Sequence, residues 1–197
     1  YKIVENLGTL KVTPVEAKVT VTVKGNTATR PYNGAEQSVE GYTFVSADNP
    51  LYAETDVSFS GDAVAKGTDA GTYPMDLAAS QFSNANENFA NVEFVVEDGS
   101  IVVDPAILTV TTPSDSRPYN GQPLTAAGTI EGFVNGETAG FATTGSQTAM
   151  GESKNTYAID WEAADATAKK SNYKIVENLG TLKVTPVEAK VTVTVKG

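Results

Sequence analysis

Tyr1–Gly25 reads YKIVENLGTLKVTPVEAKVTVTVKG, and Tyr173–Gly197 reads the same letter for letter, 172 residues on. Within the stretch, Ala17, Val19, Val21 and Val23 alternate with Lys18, Thr20, Thr22 and Lys24. A period of two puts one set of side chains on a buried face and the other in water, the pattern of a half-buried strand. Lys2–Val12 reads as strand, turn, strand, with Gly8 placed for a positive φ. Drift erases identity of this length, so near-identical copies of one unit are expected in the gene. The chain then spans one period plus an overlap, and is expected to be a piece of a longer protein, so that a missing signal or anchor says nothing about the parent.

A weaker repeat lies inside the period. Arg30-Pro31-Tyr32-Asn33-Gly34 returns as Arg117-Pro118-Tyr119-Asn120-Gly121. Gly71–Asp76 returns loosely as Asn155–Asp160. Asn88-Phe89 followed by Gly99–Val103 returns as Asn172-Tyr173 followed by Gly180–Val184. Each half closes on a proline: Pro14, Pro105 and Pro186. The expected organisation is a C-terminal hairpin of a preceding repeat at 1–13, a β domain at 14–104, a second at 105–185, and the first strand of a following repeat at 186–197. A proline at each boundary ends a strand and stiffens the connection. With no Gly/Ser-rich linker between them, the domains are expected end to end, as a rod rather than beads on a string.

Turn chemistry agrees. Asn33-Gly34 and Asn120-Gly121 favour type I′ turns, and Asp98-Gly99 is a hairpin signal at the place where Gly180 stands in the second half. The best helical candidates, Leu77–Asn86 and Glu162–Lys170, are Ala-rich and short. The fold expected is therefore mostly β: two small immunoglobulin-like β-sandwich domains in tandem, or, since each is short for that fold, β-grasp-like domains with one short helix each.

Composition excludes much chemistry. The 197 residues carry a formal net charge of −10 and neither histidine nor cysteine. Imidazole and thiolate catalysis, the usual zinc sites and disulfides are all ruled out. The charge repels nucleic acid and anionic lipid, so neither nucleic acid nor membrane is expected as a partner. A cysteine-free chain suits an extracellular address without a disulfide-forming pathway.

The order Arg-Pro-Tyr-Asn-Gly after a Thr-Val strand, Gly-x-Tyr in mid-domain, and Asn-Tyr-x-Ile-x-x-x-x-Gly-Thr-Leu-x-Val-x-Pro at the end resembles the MBG-type repeats of bacterial, Gram-positive surface proteins. The resemblance spans both halves, the first more divergent with Asn88-Phe89 and Gly99-Ser100-Ile101 in those places. It implies a secreted or wall-attached stalk or adhesin segment without catalytic residues or cofactors, whose partners are neighbouring repeats of the same chain, with any host glycan or protein ligand unknown.

Particular residues have a sharp and a plain reading. Tyr32 and Tyr119 read as a ligand platform or, more plainly, as tyrosines packed beside their own turns with locally bonded hydroxyls. Trp161, the one tryptophan, reads as a sugar-stacking ring or as core, the latter because it aligns with Leu77. Scattered acids such as Asp48, Asp69 and Asp104 write no calcium loop. Lys18, Lys66, Asn88 and Asn91 supply the residue types of an isopeptide staple, but Lys18 falls on a polar strand face and no crosslink is expected. What remains to follow structurally is a set of turn residues (Tyr32, Asn33, Gly34, Tyr119, Asn120, Gly121, Gly99 and Gly180) and the prolines Pro14, Pro105 and Pro186.

Overall fold

The structure, a computed structural model, describes residues 1–188, 190 and 192–196. It is mostly β and divides into two compact units. Unit 1 comprises residues 1–30, 36–67 and 72–102; unit 2 comprises 31–35, 68–71 and 103–197.

The first ten strands are β1 (Val19–Gly25), β2 (Thr27–Pro31), β3 (Gln37–Glu40), β4 (Tyr42–Ala47), β5 (Val57–Phe59), β6 (Val64–Gly67), β7 (Gly71–Pro74), β8 (Phe82–Asn84), β9 (Val92–Glu97) and β10 (Ser100–Asp104). β1 is the centre of one sheet, antiparallel to β4 and parallel to β9, with Val19 opposite Val92. β10 is the centre of another, between β2 and β7. β3 pairs with β6 and β5 with β8. The alternation read from the sequence holds from Val19 onward: Val19, Val21 and Val23 are buried, together with Tyr52, Phe82 and Phe89, whereas Ala17, assigned to the same face, lies before β1 and is exposed. A second cluster gathers Ala65, Met75, Leu77 and Ile101.

Unit 2 repeats the plan with β11 (Ala106–Thr112), β12 (Asp115–Pro118), β13 (Thr129–Glu131), β14 (Gly140–Thr143), β15 (Gly151–Lys154), β16 (Tyr157–Asp160), β17 (Tyr173–Leu179) and β18 (Thr181–Thr185). β11 lies antiparallel to β13 and parallel to β17, Ala106 opposite Tyr173. β18 lies parallel to β12 and antiparallel to β15. β14 and β16 form a separate antiparallel pair. Leu108, Val110, Leu182 and Val184 are its deeply buried aliphatics.

Gly99 and Gly180 do not sit in hairpins. The strands on either side of each belong to different sheets, β9 from β10 and β17 from β18. Neither glycine, nor Gly8, takes a positive φ. They are glycine because two chain segments cross: a Cβ on Gly99 would stand 2.6 Å from the Asn26 carbonyl oxygen, and one on Gly180 2.2 Å from the Pro113 carbonyl carbon. In unit 2 the crossing is tied by Gly180 N–H donating to Thr112 O at 2.8 Å. Buried Asn155 donates from Nδ2 to Pro113 O at 3.0 Å and to Ala126 O at 2.9 Å. In unit 1 Asp98 serves the turn instead, accepting from Leu77 N at 2.9 Å and Asp76 N at 3.2 Å.

The same contacts correct the internal alignment. Met75 N donates to Gly99 O at 2.8 Å, and Asn155 N to Gly180 O at 2.9 Å. Met75 therefore answers to Asn155, and Leu77 to Tyr157 rather than to Trp161. The parallel ladders likewise match Tyr173 with Val92, not Phe89. The short Gly-Thr-Tyr and Asn-Thr-Tyr likeness misled because loops of different length precede these segments.

Neither helical candidate is an α-helix. Leu77–Asn86 holds a 3-10 turn, Ala79–Gln81, and then β8; Glu162–Lys170 is turns running into a 3-10 turn at Lys170–Asn172. Two helical turns are too few to be stable alone, and Phe82 is drawn into the core and onto β5. The helix of the β-grasp alternative is thus missing among the described residues. Tyr1–Thr13 contains no strand, and its apolar side chains are exposed, so the expected hairpin is not formed. A two-stranded hairpin with no sheet to cover it is marginal in water. The strand expected at 186–197 is not seen in its described part; Ala189, Val191 and Gly197 lie outside the described residues.

Candidate functional site

The two Arg-Pro-Tyr-Asn-Gly segments fold alike at the backbone. Tyr32 N–H donates to Asp104 O at 2.7 Å, and Tyr119 N–H to Thr185 O at 2.9 Å. The Asn33 side chain accepts from Ala35 N at 2.9 Å and Asn120 from Gln122 N at 3.0 Å. Gly34 and Gly121 take φ of 77° and 78°. Asn33 and Asn120 stay out of the left-handed region. A type I′ turn needs both central residues there, so these are not type I′ turns: asparagine turns the chain through its side-chain oxygen, and glycine alone makes the left-handed step.

The side chains diverge. Tyr32 is only 5% exposed and belongs to unit 2, with residues 31–35. Its hydroxyl is bonded not locally but to the Glu137 carboxylate, 105 residues away. The other Glu137 oxygen accepts from the Tyr173 hydroxyl at 2.8 Å, and that hydroxyl accepts from Val134 N at 3.1 Å. The Tyr32 and Tyr173 rings meet edge to face at 5.8 Å. Phe133 meets Tyr173 at 5.3 Å, and Trp161 stacks on it at 6.2 Å. Trp161 is half-buried, neither deep core nor a free platform.

Beside this aromatic socket is a polar clasp. Asp69 accepts from Lys169 Nζ at 2.7 Å and from Asn172 Nδ2 at 2.9 Å, while Asn172 Oδ1 accepts from Ala70 N at 2.8 Å. Asn172 is fully buried, so both ends of its amide need such partners. Burial, reinforced by Glu137, pushes the Tyr32 and Tyr173 hydroxyls up to about 12, which keeps both as neutral donors. Lys169 and Asn172 hold the Asp69 carboxyl below its usual value.

Tyr119 has none of these surroundings. It is 48% exposed, with its hydroxyl 3.9 Å from where a Cβ on Gly121 would lie, over its own turn. Pro14, Pro105 and Pro186 are exposed; Pro105 falls directly between β10 and β11, and Pro186 directly after β18. Lys18 is exposed and ion-paired with Glu93, and Lys66 with Glu36 at 3.7 Å. A shallow groove of about 350 Å³ in unit 2 is lined by Tyr157, Ile159, Trp161, Lys170, Ile175 and Glu177. The Tyr157 hydroxyl donates to Glu177 at 2.5 Å.

Residues 108–183 match the MBG domain family, YGX type. The resemblance read from Tyr119-Asn120-Gly121 and Asn172-Tyr173 through Thr185 is thus shown over most of unit 2. No curated protein and no solved structure gives a significant match. The MBG segment contains Glu137, Phe133 and Lys169, which sequence reasoning did not single out. Asn172-Tyr173 was the one visible signal, since a buried asparagine must be bonded; Glu137 carries none, because an acid in an acidic chain looks like solvated surface.

Proposed function

We propose that the chain is a non-catalytic structural repeat of a bacterial surface protein, and that its halves, 14–104 and 105–185, are repeated modules of an extracellular, wall-attached stalk. The observation that carries this is the perfect return of 25 residues after 172, in a chain whose second half matches the MBG domain. A spacer's role depends on copy number rather than on one surface, so near-identical copies serve it. The polar contacts of the socket support the same reading. Glu137 and Asp69 hold Tyr32, Tyr173, Lys169 and Asn172 in place through their hydrogen bonds. Small-angle scattering of chains with two, four and six periods is expected to give a maximum dimension that grows linearly with period number. A compact envelope that barely grows would end this reading.

A second reading has the groove beside Trp161 holding a host glycan or protein weakly, with repetition supplying avidity. Concentration-dependent quenching of the one tryptophan on a glycan panel would favour it.

A further inference from the structure

Tyr32 and Ala70 flank the end of the β2–β10–β7 sheet and lie within unit 2, where Tyr32 fills the aromatic socket and Ala70 is bonded to Asn172. The corresponding sheet, β12–β18–β15, ends in the same way. Its registers set Pro118 against Thr185 and Gly151 against Val184, so Tyr119 and Met150 flank the exit of β18. These are the residues that answer to Tyr32 and Ala70. They are 48% and 65% exposed, an apolar pair on the surface of an otherwise acidic chain.

What covers this pair can be read from the socket. In unit 2 the turn Val134–Glu137, closed by Glu137 N–H donating to Val134 O at 2.9 Å, meets segment 31–35: Asn135 Cβ lies 2.6 Å from where a Cβ on Gly34 would stand. Unit 1 has the matching turn, Asn49–Tyr52, closed by Tyr52 N–H to Asn49 O at 3.1 Å. In that turn Pro50 stands for Asn135, Leu51 for Gly136 and Tyr52 for Glu137. Leu51 is 76% exposed. The chemistry has changed on both sides together. The acid and the polar clasp of unit 2 give way to Leu51 and Tyr52, and Asp69-Ala70 give way to Ala149-Met150. The sequence after Thr185 repeats that of Pro14 onward, so a second copy of unit 1 is the occupant that the repeat itself offers.

We infer that Tyr119 and Met150 form a docking surface for the Asn49–Tyr52 turn of a second copy of this chain's first unit. The inference rests on the repeat reading above and deepens it. The two corresponding surfaces then differ in chemistry, one polar and one apolar. The apolar end accepts Leu51, which would leave the Glu137 carboxylate unpaired if a copy of unit 2 were placed there instead.

The cysteine-free chain gives a direct test. The chain is extended past Gly197 by residues 26–172 of a second period. Gly121→Cys in the first period is combined with Pro50→Cys in the second. The pair Glu152→Cys with Lys183→Cys, exposed and directly opposite on antiparallel strands, serves as positive control, and Gly121→Cys with Val45→Cys, an exposed β4 position, as negative. Disulfide formation is followed by intact mass. The docking pair is expected to close at least tenfold faster than the Val45 pair, and adding Tyr119→Glu is expected to abolish the difference. Equal rates for the docking and Val45 pairs, with the positive control closing, would overturn the inference. Scattering of the same extended chain separates the two levels: a growing length without selective closure removes the docking surface and leaves the stalk, whereas a compact envelope removes the stalk itself.

Discussion

Tyr1–Thr13 and Tyr173–Thr185 have one sequence and two structures. In the second, the residues form β17 and β18, with Leu182 and Val184 buried and Gly180 wedged against Pro113 and Ser114. In the first they form no strand, Leu10 and Val12 are exposed, and nothing lies within 4 Å of where a Cβ on Gly8 would be. The difference is the company. β17 needs β11 beside it, and β18 needs β12 and β15. A strand satisfies its backbone groups only through another strand, so its propensity is a statement about fit to a sheet rather than about the segment itself.

That comparison can be broken by paired substitutions. Leu182→Ala is expected to destabilise unit 2 by about 2–5 kcal/mol, through lost burial and the cavity left behind. Leu10→Ala, the same change in the same sequence, should shift stability by no more than about 0.5 kcal/mol. Urea unfolding of the two variants decides it, and equal midpoints would mean that 1–13 is sheet-bound after all. Gly180→Ala is expected to cost about 1–3 kcal/mol, since the new methyl meets backbone rather than a side chain that can yield. Gly8→Ala should be close to neutral. Thermal melts of both, read against the parent, test the crossing geometry.

Tyr173, on the folded side of the comparison, can be followed by titration. The Tyr32 and Tyr173 hydroxyls, and that of Tyr157 beside Glu177, are pushed up to about 12 by burial and the neighbouring carboxylates. Folding therefore holds these protons more tightly than the unfolded chain, whose tyrosines ionise near 10. Their contribution to stability is full below pH 10 and is lost as pH rises toward 12. Absorbance at 295 nm should show a group of tyrosines titrating in that window, one fewer in Tyr173→Phe. The smallest effect concerns Asp69. Its carboxyl is held below the usual range, so its contribution is present above that range and lost as pH falls through the lowered value. Asp69→Asn should flatten the acid side of the stability profile slightly, since Lys169 and Asp69 are both substantially exposed.

Some of this was legible before any coordinates. Alternation at Val19–Val23 identified a buried face, and the paired Tyr-Asn-Gly segments marked turns in which Gly34 and Gly121 take the left-handed step. The socket was not legible. Glu137, Phe133 and Lys169 approach Tyr32 and Asp69 from about a hundred residues away, and no local pattern encodes that meeting. The helical readings failed for a related reason: alanine-rich segments of ten residues have weak preferences, and Phe82 gains more from the core than a short helix could return.

The sequence by itself determined the β character, the repeat and the kinship of residues 108–183 with MBG domains, because side-chain periodicity, turn chemistry and recurrence are properties of the chain read in order. Only the tertiary structure decided that Gly99 and Gly180 are sheet-crossing points rather than hairpin tips, that Tyr32 is buried while Tyr119 is not, and that one of two identical thirteen-residue segments is folded. The physical reason is the same for all three. Backbone pairing, close approach and burial each depend on what a second segment brings, and a strand carries no record of its neighbour.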